Sequence, residues 1–157
     1  MKLISIKNLF HAEVGTTEPF EMEEDITKLP LPEEIEGHKL SVHGKIMRLD
    51  ESVMINGKAE ASLGLICDRC LDNFDTSIKF SFEREYLLDR KEIVEENLYV
   101  DKHLEIDLTD ELRDEIILAI PTQNICRKEC GGICLGCGVN LNQESCKCKI
   151  SKSGIEE

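Results

Sequence analysis

From Leu40 to Leu88 apolar residues fall on alternate positions, the period of a strand with one face in a core and one in water. Leu40, Val42, Gly44 and Ile46 carry the first run, and Val53-Met54-Ile55 leads into Asn56-Gly57, a dipeptide favoured in type I′ turns. Ala59, Ala61, Leu63 and Leu65 alternate again and deliver the chain to Cys67. Phe74, Thr76, Ile78, Phe80 and Phe82 then share one face of a further strand. This pattern predicts an antiparallel meander. Cys67-Asp68-Arg69-Cys70 should turn at a strand junction and present two sulfurs outward. Upstream, Leu3, Ile4, Ile6 and Leu9-Phe10 suggest an opening strand. Downstream, residues 89–103 are charged and poorly patterned, a loop with Leu98-Tyr99-Val100 as a short strand.

Leu104, Ile106 and Leu108 lead into the one convincing helix, near 108–120. Asp107 or Thr109 can cap it, and Asp110-Glu111 complement the positive end of its dipole. Leu112, Ile116, Ala119 and Ile120, with Ile117 nearby, form a stripe at helical spacing, and Pro121 ends it. Such a stripe marks a core helix rather than a cofactor box. The fold class expected is α+β, mainly β: an antiparallel sheet or partly open barrel with one principal helix and a C-terminal zinc knuckle. The segments expected are an N-terminal strand and acidic, proline-containing stretch at 1–39, a β domain with the helix at 40–124, a cysteine-rich tail at 125–150, and a disordered end at 151–157.

Composition narrows the picture. Aromatics make up 4% of the 157 residues and tryptophan is absent, so the core must be aliphatic and modest. A small core often needs a metal staple. The formal charge is -13; eight thiolates would add -8 and two Zn²⁺ return +4, leaving -17. Such a chain repels phosphate and cannot grip nucleic acid through a broad basic surface. Residues 125–157 nevertheless hold five Lys/Arg against four acids, a balance of +1, so the remainder carries -14. The early apolar run breaks too soon for a secretory leader, and no run approaches the roughly 18 apolar residues of a membrane span. The expected location is the cytoplasm, where eight cysteines read as metal ligands rather than disulfides.

Six of those cysteines fall within Cys126–Cys148, spaced C-x3-C-x3-C-x2-C-x8-C-x-C, and Cys67 and Cys70 form a lone C-x2-C upstream. Two intervening residues let both sulfurs turn toward one ion, and zinc commonly takes four thiolates in a tetrahedron. In Cys134-Leu135-Gly136-Cys137-Gly138 the glycines allow the backbone to curl with positive φ. The favoured partition gives one zinc to Cys134, Cys137, Cys146 and Cys148 and another to Cys67, Cys70, Cys126 and Cys130. The alternative is a single zinc on Cys67, Cys70 and two tail cysteines. Four-sulfur sites are coordinatively full, which favours structural zinc over catalytic zinc. An oxidant-sensitive zinc–thiolate module and an iron–sulfur cluster are the other readings of the spacing. His11, His38, His43 and His103 are scattered, away from ligand spacing, and neither a nucleophile elbow, a P-loop nor H-E-x-x-H occurs. No active site is expected.

The order of these features resembles the YceD family of large ribosomal RNA subunit accumulation proteins. The resemblance rests on Cys67-Asp68-Arg69-Cys70-Leu71 after a strand, on Ile106-Asp107-Leu108-Thr109 and its helix, and on Ile120-Pro121-Thr122-Gln123-Asn124-Ile125-Cys126. Its most specific part runs from Cys130-Gly131-Gly132-Ile133-Cys134 through Cys137-Gly138-Val139-Asn140-Leu141-Asn142 to Cys146 and Cys148. It covers about residues 40–148 and implies a non-enzymatic role in making, processing or retaining large-subunit RNA, with zinc. The acidic charge points to action through a ribosomal protein or a large-subunit assembly factor, with RNA contact confined to the tail. Asn140 and Asn142 could bond to bases or cap the knuckle's own turn, and capping is favoured. Residues 18–36, with eight acids, Lys28 and three prolines, read first as a solvated extended linker. The alternative is an acidic arm that mimics RNA toward a basic ribosomal protein.

Overall fold

The computed structural model describes residues 3–88 and 98–148; the expected charged loop at 89–97 and the chain end from 149 lie outside the described residues. Four long strands dominate: β2 (Thr17–Asp25), β3 (Glu36–Arg48), β4 (Ser52–Ile66) and β5 (Asn73–Leu87), joined in sequence order as antiparallel neighbours. The two-residue β6 (Leu98–Tyr99) adds to β5 in parallel, so the sheet is mixed rather than wholly antiparallel, and it does not close into a barrel. A second, two-stranded sheet pairs β1 (Ile4–Ser5) with β7 (Glu105–Ile106). The expected opening strand is thus only two residues long, because Lys7–Phe10 coil into the short helix α1.

Register follows the apolar alternation. Leu40 faces Ala61, Val42 faces Ala59 and Ile46 faces Ile55, while Leu65, Leu63 and Ala61 face Phe74, Thr76 and Ile78. One sheet face therefore collects Leu40, Val42, Ile46, Val53, Ile55, Leu63 and Leu65, all buried. Helix α2 (Thr109–Ala119) packs its Leu112 and Ile116 into the same core. Arg84 of β5 ties the helix down through Glu115, 2.6 Å away, and the Asp107 carboxylate accepts the Thr109 N–H at 2.9 Å to hold the helix start. Ile120 is extended, as the residue before Pro121 should be.

Two expectations are corrected here. Asn56-Gly57 is not a turn: it lies within β4, and the reversal falls at Asp50-Glu51, closed by Leu49 N–H to the Ser52 carbonyl at 2.9 Å. Gly57 instead faces Gly44 across the strands, and a Cβ on Gly57 would sit 2.8 Å from Phe82 Cζ. The pair is there for close approach, not for a turn. Nor is the acidic stretch wholly a linker. Thr17–Asp25 is an edge strand whose Met22 is buried against Val42, leaving Glu21 and Glu23 on the solvent face. Charge on an edge discourages further strand addition.

Candidate metal centres

The β4–β5 connection is itself a knuckle. Cys67 N–H donates to the Asp72 carbonyl at 2.9 Å, and Leu71 N–H donates to the Cys67 carbonyl at 2.9 Å. The tail repeats the pattern. Cys134 N–H donates to the Val139 carbonyl at 2.8 Å, and Gly138 N–H to the Cys134 carbonyl at 2.8 Å. In both loops the residue after the second cysteine is left-handed: φ is +61° at Leu71 and +74° at Gly138. Glycine suits that position, whereas leucine adopts it only under strain.

After α2 the chain returns to the sheet. Asp68 N–H donates to the Asn124 carbonyl at 2.8 Å, and Asn124 N–H donates back to the Asp68 carboxylate at 2.6 Å. That pair sets Cys126 beside Cys67, and the turn from Arg127 brings Cys130 in as well. The sulfurs of Cys67, Cys70, Cys126 and Cys130 lie within 4.8 Å of one another, and so do those of Cys134, Cys137, Cys146 and Cys148. This is the four-and-four grouping that spacing favours. The expectation that Cys67 and Cys70 point outward is corrected. They are 0% and 4% exposed because the tail folds over them. The second set is the more open, with Cys137 exposed.

The donor sets fit a tetrahedral thiolate-bound ion. A Zn–S bond of about 2.3 Å implies sulfur–sulfur edges of about 3.8 Å. Cys67 and Cys130 are 3.9 Å apart, Cys70 and Cys126 3.8 Å, and Cys137 and Cys146 3.7 Å, with Cys134 and Cys146 tighter at 3.1 Å. All eight are free, and none of these distances approaches the ~2.05 Å of a disulfide. Two thiolates 4 Å apart repel by about 4 kcal/mol near a protein surface, so four can ionise together only around a cation.

The thiols show that conflict in how their acidities diverge. Burial pushes the Cys67 thiol up, but the N–H groups of Cys126, Cys70 and Arg69 outweigh it and hold it down at about 6. Cys134 is lowered to about 6 by Cys146 and by the N–H groups of Cys137 and Gly136. The Asp72 N–H draws Cys70 down, yet burial and its three neighbouring sulfurs drive it up to about 12. Cys137 and Cys146 push Cys148 to about 12. Cys130 is held below the usual thiol range, first by the Asn142 amide.

Asn140 and Asn142 cap the fold of the tail. Asn140 Oδ1 accepts the Asn142 N–H at 3.0 Å, and Asn142 Oδ1 accepts the Gly131 N–H at 2.8 Å. Sequence reasoning did not find that Asp68 and Asp72, inside and just after the first knuckle, anchor the tail through Asn124 and Asn140. The only sequence signal was Asp68 next to Cys67 and Asp72 two residues past Cys70. No histidine joins either cysteine set among the described residues; His38 pairs with Asp75 at 3.3 Å. No helix among the described residues is long and apolar enough to cross a membrane.

Against known proteins, a family model described as "Large ribosomal RNA subunit accumulation protein YceD" matches residues 55–154. A Zea mays protein called "Large ribosomal RNA subunit accumulation protein YCED homolog 1, chloroplastic" is 48% identical over 46 residues, which is 29% of this chain and 16% of that protein. Its Arabidopsis thaliana namesake is 46% identical over 44 residues, 28% of this chain and 14% of that protein. The aligned stretch is therefore a small part of each plant protein. No solved structure matches.

Proposed function

The chain belongs to the YceD family of large ribosomal RNA subunit accumulation proteins, and from that premise we propose that it is a non-enzymatic factor supporting accumulation of large-subunit ribosomal RNA. Structural zinc, one ion on each four-cysteine set, holds its tail against the sheet. The observation that carries this reading is the family match running through both cysteine sets. Four sulfurs fill a tetrahedral ion and leave no place for a reacting water, which supports a structural ion and a docking role.

Contact is made chiefly through protein. A net charge of -13 opposes a broad hold on phosphate, so the partner is a ribosomal protein or large-subunit assembly factor, with ribosomal RNA near the tail alone. The reading places the protein in the cytoplasm, in keeping with eight reduced cysteines, whereas the two plant relatives are named chloroplastic. Depletion should lower the ratio of large- to small-subunit RNA and the yield of mature large subunits. An unchanged ratio in depleted cells would refute it. The exposed Cys137 and the 3.1 Å approach of Cys134 to Cys146 support a second reading, an oxidant-sensitive thiolate module. Mild peroxide should then release metal from the native chain reversibly; retention until the protein unfolds would reject it.

A further inference from the structure

Asn142 lies between Cys137 and Cys146 of the second cysteine set, yet its side chain serves the first. Its Nδ2 donates to Cys130 Sγ at 3.4 Å. Its Oδ1 accepts from Gly131 N–H and from Arg127 Nη2, each at 2.8 Å. One side chain thus binds three groups of the segment that supplies Cys126 and Cys130. The backbone that carries it bridges the two knuckles. Leu141 N–H donates to the Gly132 carbonyl at 2.8 Å, Ile133 pairs with Asn140, and Asn140 Nδ2 reaches the Asp72 carboxylate at 2.7 Å.

We propose that Asn142 is a positioning residue that couples the two metal centres, so that filling the Cys134/Cys137/Cys146/Cys148 set tightens metal binding at the Cys67/Cys70/Cys126/Cys130 set. This rests on the metal reading above and deepens it. An N–H directed at a thiolate stabilises its charge and fixes its direction, and losing such a partner typically costs 10- to 100-fold in metal affinity. Residues 138–145, which carry Asn142, run between Cys137 and Cys146, so an ion on the second set restrains that stretch from both ends in addition to its contacts with Gly132, Ile133 and Asp72. When the second set is empty that stretch loses the restraint at its two ends, and the Asn142 amide is held less firmly against Cys130. Linkage makes the effect reciprocal: filling the first set raises the affinity of the second by the same factor.

A local role, capping the Gly131 turn, makes a different prediction, and aspartate separates the two. Asn142→Asp keeps an oxygen for Gly131 and Arg127 but puts an anion where the amide donated to Cys130. The test uses the full chain and Zn²⁺, with metal content by elemental analysis and affinity by competition with a chromogenic chelator. Cys70→Ser, which cripples the first set, assigns the ions. Wild type should hold two ions. Asn142→Leu should still hold two but bind the first-set ion about tenfold more weakly. Asn142→Asp should be at least as weak as Asn142→Leu. Cys137→Ser should weaken the first set to a similar degree, and adding Asn142→Leu to it should cause no further loss. First-set affinity at the wild-type level in Asn142→Asp, or losses that multiply in the combined variant, would overturn the coupling and leave the metal reading standing. A wild-type chain that binds no ion at all would remove both.

Discussion

Replacing Cys67 by serine takes one sulfur from a set whose members are far apart in the chain. Cys67 and Cys130 are 63 residues apart, whereas Cys134 and Cys146 of the second set are separated by 12. An ion joining each pair acts like a cross-link, and a cross-link stabilises by restricting the unfolded chain, more so for a longer loop. The chain-entropy relation gives about 4.3 kcal/mol for the first closure and about 2.9 kcal/mol for the second. The two losses should also differ in reach. The first set sits at the β4–β5 connection and fastens the post-helix segment to it, so its loss is felt by the whole sheet. The second set encloses only tail residues. Urea unfolding followed by far-ultraviolet circular dichroism, in slight excess Zn²⁺, reads the sheet directly. At a slope near 2 kcal/mol/M, Cys67→Ser should lower the midpoint by about 2 M. Cys134→Ser should melt the tail, seen as faster hydrogen exchange at residues 131–146, and move the sheet midpoint much less. If Cys134→Ser shifts the sheet as far as Cys67→Ser, or if Cys67→Ser leaves it in place, loop length is not what the ions control.

Other outcomes follow from the same geometry. At Gly44 an added Cβ would meet the Asn56 carbonyl oxygen and lie 2.8 Å from Gly57 Cα, whereas at Gly57 its nearest atoms belong to the Phe82 ring. Gly44→Ala should therefore cost about 3 kcal/mol and Gly57→Ala about 1 kcal/mol in denaturant melts, because a ring end yields and a strand does not. Zinc uptake at pH 7.5 should release fewer than four protons per ion, measured by calorimetry in buffers of different ionisation enthalpy. Cys67 and Cys134, held near 6, are already thiolates at that pH, while Cys70 and Cys148, near 12, must each give up a proton. Below pH 6 the first two protonate as well, so proton release should rise and affinity fall. Chelation at neutral pH should expose all eight thiols to a colorimetric reagent, with those of Cys67 and Cys70 reacting last because the tail covers them.

Much of this molecule could be read from its order of residues, because side chains two apart share a sheet face and cysteines two apart share an ion. The odd-numbered series Val53, Ile55, Ala59, Ala61, Leu63 and Leu65 passes through Gly57 without changing phase. A turn at Asn56-Gly57 would have set Ile55 opposite Lys58 and Val53 opposite Glu60 on one face. The reversal at Asp50-Glu51 sets Ile46 opposite Ile55 and Val42 opposite Ala59. That parity was present in the sequence and outranks the dipeptide's turn preference, which is local and weak beside a row of buried pairs. The α2 stripe and the cysteine spacing were legible for the same reason.

Tertiary structure decided the rest, chiefly the roles of polar residues whose partners are distant in the chain. Residues 17–25 carry a linker's charge, and only the presence of an unpaired β3 edge makes them a strand. Cys67 and Cys70 become buried because Asp68 holds Asn124, fifty-six residues away, and no periodicity reports a contact at that distance. Leu71 takes a conformation its side chain disfavours because the sulfurs on either side of the turn must converge. Spacing along a chain states which neighbours can cooperate; which strangers meet depends on how the whole chain closes.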